Sequence, residues 1–241
     1  MTDALEAHLR RQVEHSQRFF WHRLRWRVVR TYLPKDASFD LVDVGAGAGL
    51  LGTFLARDRP RATYRFVEPI DALRRALRER HGNAVDAGDD ASYGSARFVT
   101  LLDVLEHQRD DRAFLSALVE KMAPGSTLLL TVPSLPTLWS QWDVALGHFR
   151  RYDKATLLAC TAGLPLTIHE TSFLFPEMVP LGMLRKRRNP PHTLDDLDHA
   201  EFPNLPRFAN DVMCGLGIAS LSLRRHWPTG TSLFMAASLD A

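Results

Sequence analysis

Residues 41–52, LVDVGAGAGLLG, constrain the fold more than any other stretch of the chain. An apolar run holding a single aspartate leads into glycine at every second position, and the chain then turns apolar again. The run reads as a buried strand over 40–45, and the residues after it as a helix over 49–57 that opens on the glycine loop. Glycine at this density after a strand leaves backbone bare enough for a ligand to dock against it.

The rest of the chain alternates in the same way. ATYRFVEP (62–69) reads as a strand and IDALRRALRER (70–80) as a helix, with Gly82 just past its end. A polar stretch leads to the strand RFVTLLDV (97–104). DDRAFLSALVEKMAPG is a helix closed by Pro124-Gly125, and STLLLTVPS is another buried strand. A helix is expected over 153–163, a strand over 165–175 and a last strand over 231–239. Alternation of this kind predicts a doubly wound, mostly parallel α/β sheet. The last two strands lack a standard crossover helix directly between them, so the last is expected to run antiparallel at the edge. Before the first strand, residues 4–32 carry helical periodicity rich in arginine and aromatics until Pro34.

Composition excludes several classes. With 45% hydrophobic and 24% charged residues, the 241-residue chain is long enough for one well-buried domain. A net charge of +2 gives no electrostatic case for nucleic acid. The N-terminus lacks the apolar core of a signal peptide, and the tract MCGLGIASLSL (213–223) is shorter than the roughly 18 residues of a membrane span. Cys160 and Cys214 form neither a metal-ligand pattern nor a disulfide framework, which suits a cytoplasmic protein. A small-molecule substrate, with the chain as monomer or homodimer and without stable membrane insertion, is the expected partnership.

Gly47, Gly49 and Gly52 satisfy G-x-G-x-x-G, which by itself suggests a dinucleotide. Asp43, two residues before Gly45, argues otherwise. A buried strand-end carboxylate repels a pyrophosphate but suits a ligand carrying an ammonium group, such as S-adenosylmethionine. Glu68, at the end of the second strand, can accept hydrogen bonds from the ribose hydroxyls of either cofactor.

The frame LVDVGAGAG, then FVEP, then LLDVLEHQRDD, then KMAPGSTLLLTVPS resembles the class I S-adenosylmethionine-dependent methyltransferases over residues 40 to 175. WSQWDVALGHFRRY (139–152) and the ending WPTGTSLFMAASL extend the likeness to a small-molecule subgroup. The resemblance implies a Rossmann-like, seven-stranded sheet with its last strand antiparallel. An N-terminal helical lid would span 1–36, and the cofactor domain 37–241, with a substrate-facing insertion near 176–228. It implies that Asp43, Gly45, Ala46, Gly47 and Gly49 hold the methionine end of S-adenosylmethionine and that Glu68 takes the ribose. Pro69 and Ile70 would flank the adenine, Asp89 (or its neighbour Asp90) would meet the adenine amino group, and Leu102 and Asp103 would line the pocket near the sulfonium. The product would be S-adenosylhomocysteine.

Acceptor chemistry is expected after the strand ending at Ser134. Asp143 and His148 could accept a proton there, and His107 is a further candidate base. Arg150, Arg151 and Tyr152 could orient an anionic acceptor, and Trp139 and Trp142 could pack on an apolar one. A structural hairpin in which His148, Arg151 and Tyr152 only tie the loop to the sheet is the alternative. On the N-terminal helix, Phe20 and Trp21 are candidate substrate contacts, with Arg23 near a carboxylate. Asp103, Glu106, His107 and Asp110 have helix-like spacing, but no second cluster supplies further ligands, so no metal is expected. Two rival readings are attack at another carbon of the same cofactor and an NAD(P)-dependent oxidoreductase.

Overall fold

The computed structural model describes residues 19–81, 85–86, 93–94, 96–187 and 206–240. The strands are β1 (Phe39–Val44), β2 (Ala62–Val67), the two-residue β3 (Val85–Asp86), β4 (Phe98–Leu102), β5 (Thr127–Pro133), β6 (Leu166–Leu174) and β7 (Ser232–Leu239). The helices are α1 (Phe20–Val29), α2 (Leu50–Asp58), α3 (Asp71–His81), α4 (Asp111–Glu120), α5 (Gln141–Ala145), α6 (Lys154–Thr161), α7 (Val179–Lys186) and α8 (Arg207–Ser222). Gly82, Asp89, Asp90 and the first part of the expected N-terminal helix lie outside the described residues.

The strand order is β3-β2-β1-β4-β5-β7-β6. β1 pairs in parallel with β2 and β4, and β4 with β5, whereas β7 is antiparallel to both β5 and β6. The antiparallel direction of the last strand agrees with the sequence; its place does not. β7 lies between β5 and β6 rather than at the edge. The reason is legible in LFMAA (233–237), every residue of which is fully buried: an uninterrupted apolar run belongs to a strand covered on both faces. β6, which alternates in exposure near its start, takes the edge.

Successive strand residues feed two cores, one on each face. Val42 and Val44 of β1, Leu128, Leu130 and Val132 of β5, and Leu233 and Met235 of β7 face α4 and α6. Leu41, Leu129, Phe234 and Ala236 face the other way, onto Phe20, Leu24 and Val28 of α1, Phe54 and Leu55 of α2, and Cys214 and Leu221 of α8. The segment from 176 to 228 therefore does more than decorate the fold. α8 packs on α1 so closely that a Cβ at Gly217 would collide with the Leu24 side chain.

A register shift between Ile168 and Glu170 turns the Glu170 carboxylate inward. There it accepts hydrogen bonds from Tyr32 (2.6 Å), Ser172 (2.7 Å), Arg224 (2.6 Å) and Arg225 (2.9 Å). Burial pushes its pKa up, but these donors outweigh burial and hold it at about 2. The edge strand, the end of α8 and the chain after α1 are fastened at one point.

Because β1, β2, β4 and β5 are parallel, the loops that leave them emerge at one end of the sheet. Between β1 and β4 the connections diverge to opposite sides, which is where a doubly wound sheet opens a crevice.

Candidate active site

The glycine loop leaves β1 at that crevice. Gly45, Gly47 and Gly49 all have φ between 54° and 72°, the left-handed region that costs glycine nothing. Two of them are also sterically obligatory. A Cβ at Gly45 would sit 2.5 Å from a Val104 methyl, and one at Gly49 would run into Leu77. The loop is held from behind, with Gly45 and Ala46 both donating to the Val67 carbonyl, at 2.8 and 3.2 Å. Gly49 then opens α2, whose first N–H groups face the loop.

Two of the expected carboxylates flank this loop. Asp43 is 3% exposed and accepts from Thr100 Oγ1 at 2.7 Å and Tyr64 Oη at 3.0 Å. Burial raises its pKa to about 6, although both hydroxyls oppose the rise. Glu68 follows β2 and is 4% exposed. One carboxylate oxygen accepts from the Gly47 N–H at 2.7 Å and the other from the Ile70 N–H at 2.9 Å. Burial raises its pKa despite these two donors. Pro69 is exposed and Ile70 half-buried beside it.

Asp103 ends β4 on a positive φ of 57°. Its carboxylate accepts from Thr131 Oγ1 at 2.8 Å and forms an ion pair with Arg25 of α1. Arg25 in turn reaches His22 Nδ1 at 3.0 Å. The sequence pointed to Arg23 for such a carboxylate contact. Arg23 instead points outward, 3.8 Å from Asp211, and the residue paired with Asp103 is Arg25. Leu102, half-buried, packs at the edge of the α1-side core.

Of the two aromatic residues on α1, Phe20 is 1% exposed and belongs to that core, with its N–H donating to Asn210. It is a packing residue, which corrects the expectation of a substrate contact. Trp21 stacks on Phe175 with ring centroids 4.0 Å apart.

The segment after β5 is no hairpin. It forms a turn over Pro136–Leu138, then α5, and comes back to the sheet through a parallel bridge between Ser134 and Tyr152. Asp143 is fully buried and collects His148 Nδ1 (3.0 Å), Arg151 Nε (2.7 Å) and the Ser140 N–H (3.0 Å). Burial would raise its pKa, but the bonds from His148 and Arg151 prevail and lower it. An ionised, fully bonded carboxylate is a poor base, so Asp143 positions its neighbours rather than taking a proton. Arg151 also donates to the Ser134 carbonyl, so its guanidinium ties the loop to β5. Tyr152 is 1% exposed and donates to Asp111 at 2.8 Å, and burial and that bond raise its pKa, so its hydroxyl anchors the loop rather than facing an acceptor. Arg150 also pairs with Asp111, at 2.6 Å. Trp142 carries Arg185 on its face, 4.1 Å from the ring centroid, and Trp139 is half-buried beside α5.

His148 and His107 meet edge to face, their rings 4.8 Å apart, because the Phe149 N–H docks on the Glu106 carbonyl at 2.8 Å. Burial and the neighbouring His148 lower the His107 pKa to about 4. His107 is neutral at pH 7 and has a lone pair to offer.

Residues 13–170 match the family described as "Methyltransferase domain". No curated protein matches the chain. Among solved structures, the chain is similar to one from the complex between the Haloferax volcanii Trm112 methyltransferase activator and a methyltransferase: TM-score 0.63 at 14% identity, covering 100% of this chain and 98% of that one. It is also similar to Haemonchus contortus phosphoethanolamine N-methyltransferase 2, bound to phosphomonomethylethanolamine and S-adenosylhomocysteine. There the TM-score is 0.57 at 15% identity, over 90% of this chain and 52% of that one. A methyltransferase of Bacillus halodurans gives 0.56 at 13% identity, over 90% and 99%. At these identities the structures share the fold.

Proposed function

This chain belongs to the methyltransferase-domain family, and from that premise we propose that it moves the methyl group of S-adenosylmethionine to a small-molecule acceptor and releases S-adenosylhomocysteine. One observation carries the choice of cofactor. Asp43, Glu68 and Asp103 bring three carboxylates to a loop of alternating glycine and alanine, with Arg25 paired to Asp103. That charge balance suits a ligand with an ammonium and a sulfonium and no phosphate, and opposes a pyrophosphate. The residues therefore fit the group.

When bound, the cofactor supplies an activated methyl carbon, and the protein's task is alignment. Holding a nucleophile near 3 Å from that carbon is worth up to about 7–11 kcal/mol. The bare backbone at Gly45, Ala46, Gly47 and Gly49 admits the methionine end. Glu68, already braced by two N–H donors, presents its remaining lone pairs to the ribose. Pro69 and Ile70 would flank the adenine, and Leu102 and Asp103 would line the pocket near the sulfonium. α1 acts as the cover: its apolar face is fixed in the core, and Arg25 reaches over the site to Asp103.

On the acceptor side, His107 is the unprotonated imidazole and His148 is aimed by Asp143. A positioned base adds roughly 10²–10⁴-fold when the acceptor must lose a proton. Trp139 and Trp142 offer aromatic surface beside it. Incubation with S-adenosylmethionine and an acceptor panel tests this reading through its products. S-adenosylhomocysteine with a methylated acceptor supports it; methylthioadenosine would instead mark attack on the methionine chain.

A further inference from the structure

We propose that Glu106, His107 and His148 form a binding site for one divalent first-row transition-metal ion. In the sequence Glu106 and His107 stand with Asp103 and Asp110, and no second cluster nearby supplies further ligands. The fold supplies one by folding the segment after β5 back onto the turn after β4.

The three residues each offer a ligand atom, and those atoms lie within 4.8 Å of one another. Bonds of about 2.0–2.2 Å in a tetrahedral arrangement set ligand atoms about 3.4 Å apart, so side-chain rotations that bring the widest pair in by roughly 1 Å would close the cluster on an ion. Glu106 is 1% exposed, and its Oε2 has no hydrogen-bond partner. A buried carboxylate oxygen left bare costs folding energy that a cation would recover.

Both imidazoles are already set as ligands are set. His148 Nδ1 is fixed on Asp143, which Arg151 and Ser140 hold in place, so with the proton on Nδ1 the Nε2 lone pair is free. Carboxylate-to-histidine bonds of this kind orient metal-bound imidazoles. One ring nitrogen of His107 is hydrogen-bonded to the Gly147 backbone, which fixes that ring as well. Two imidazoles and one carboxylate favour ions such as Zn²⁺, Co²⁺ or Fe²⁺ over Mg²⁺ or Ca²⁺. Three protein ligands leave a coordination position open. Where the methyltransferase reading holds, an ion there would acidify an acceptor hydroxyl in place of His107 acting as base, since a coordinated imidazole has no lone pair to spare; metal binding itself does not depend on that reading.

The test uses untagged full-length protein stripped with chelator and titrated with Co²⁺, read by visible d–d absorption, with Zn²⁺ uptake followed by calorimetry. The expected result is one ion per chain in a four- or five-coordinate nitrogen–oxygen spectrum. Glu106→Gln and His148→Ala should each weaken uptake by more than the roughly 10–100-fold typical of losing an outer-shell partner, and Asp143→Asn by an amount within that range. Absence of stoichiometric uptake by the wild type overturns the proposal, as does unchanged affinity in Glu106→Gln or His148→Ala variants that still melt cooperatively. Should those variants fail to fold, X-ray absorption of the Zn²⁺-loaded wild type decides, and a spectrum without imidazole scattering overturns the site. Affinity of the metal-free wild type for S-adenosylhomocysteine reports separately on the methyltransferase reading.

Discussion

Asp43 carries a cost that its function explains. Its pKa rises from 3.8 to about 6 on folding, chiefly through burial, so between about pH 4 and 6 the folded chain binds more protons than the unfolded one. Its contribution to stability therefore falls as pH rises through that window, and at pH 7 the full penalty is present. Asp43→Asn removes the penalty, and the Thr100 and Tyr64 hydroxyls can bond to the amide. The melting temperature of Asp43→Asn relative to wild type should climb between pH 4 and 7, while affinity for a cationic ligand drops. A gap that narrows with rising pH would contradict this account. Asp43 and Glu68 were legible in the sequence because a residue at a strand end has its direction set by the sheet. Arg25 was not singled out, although a signal existed. It stands four residues before the buried Val29, beside the apolar stripe of Phe20, Leu24 and Val28.

Among the elements, α5 shows most clearly what short-range pattern misses. Five residues are too few to establish a helical period, so the sequence suggested only a loop or a hairpin. The cue was the capping pair Ser140 and Asp143, three residues apart, whose side chains satisfy the first helical N–H groups reciprocally. Asp143 also anchors His148 and Arg151 from a fully buried position. Asp143→Ala should thus destabilise the protein by about 3–5 kcal/mol in urea unfolding, since it leaves partly buried cations unpaired. A loss under about 1 kcal/mol would show that the network only decorates the loop. α1 invites the opposite expectation. Its apolar face holds it in place, so Arg25→Ala should leave thermal stability nearly unchanged yet weaken S-adenosylhomocysteine binding by about tenfold or more. Loss of the fold with unaltered affinity would make Arg25 a structural tether.

At the level of the whole molecule, the alternation of strands and helices was readable because period 2 and period 3.6 are local. The order of strands was not, since pairing joins residues far apart in sequence. β7 crosses back between β5 and β6 only because its two apolar faces need cover on both sides. The same long-range placement gathers the ends of β1, β2, β4 and β5 around one crevice, and brings His148 to His107. The central claim is that this crevice takes S-adenosylmethionine rather than a dinucleotide. Calorimetric titration with S-adenosylhomocysteine, beside NADH, on wild type and Glu68→Ala tests it most directly. The account predicts micromolar binding of S-adenosylhomocysteine, weakened about tenfold or more by Glu68→Ala, and no binding of NADH. Binding of NADH alone would contradict it and would return Gly47, Gly49 and Gly52 to a dinucleotide fingerprint.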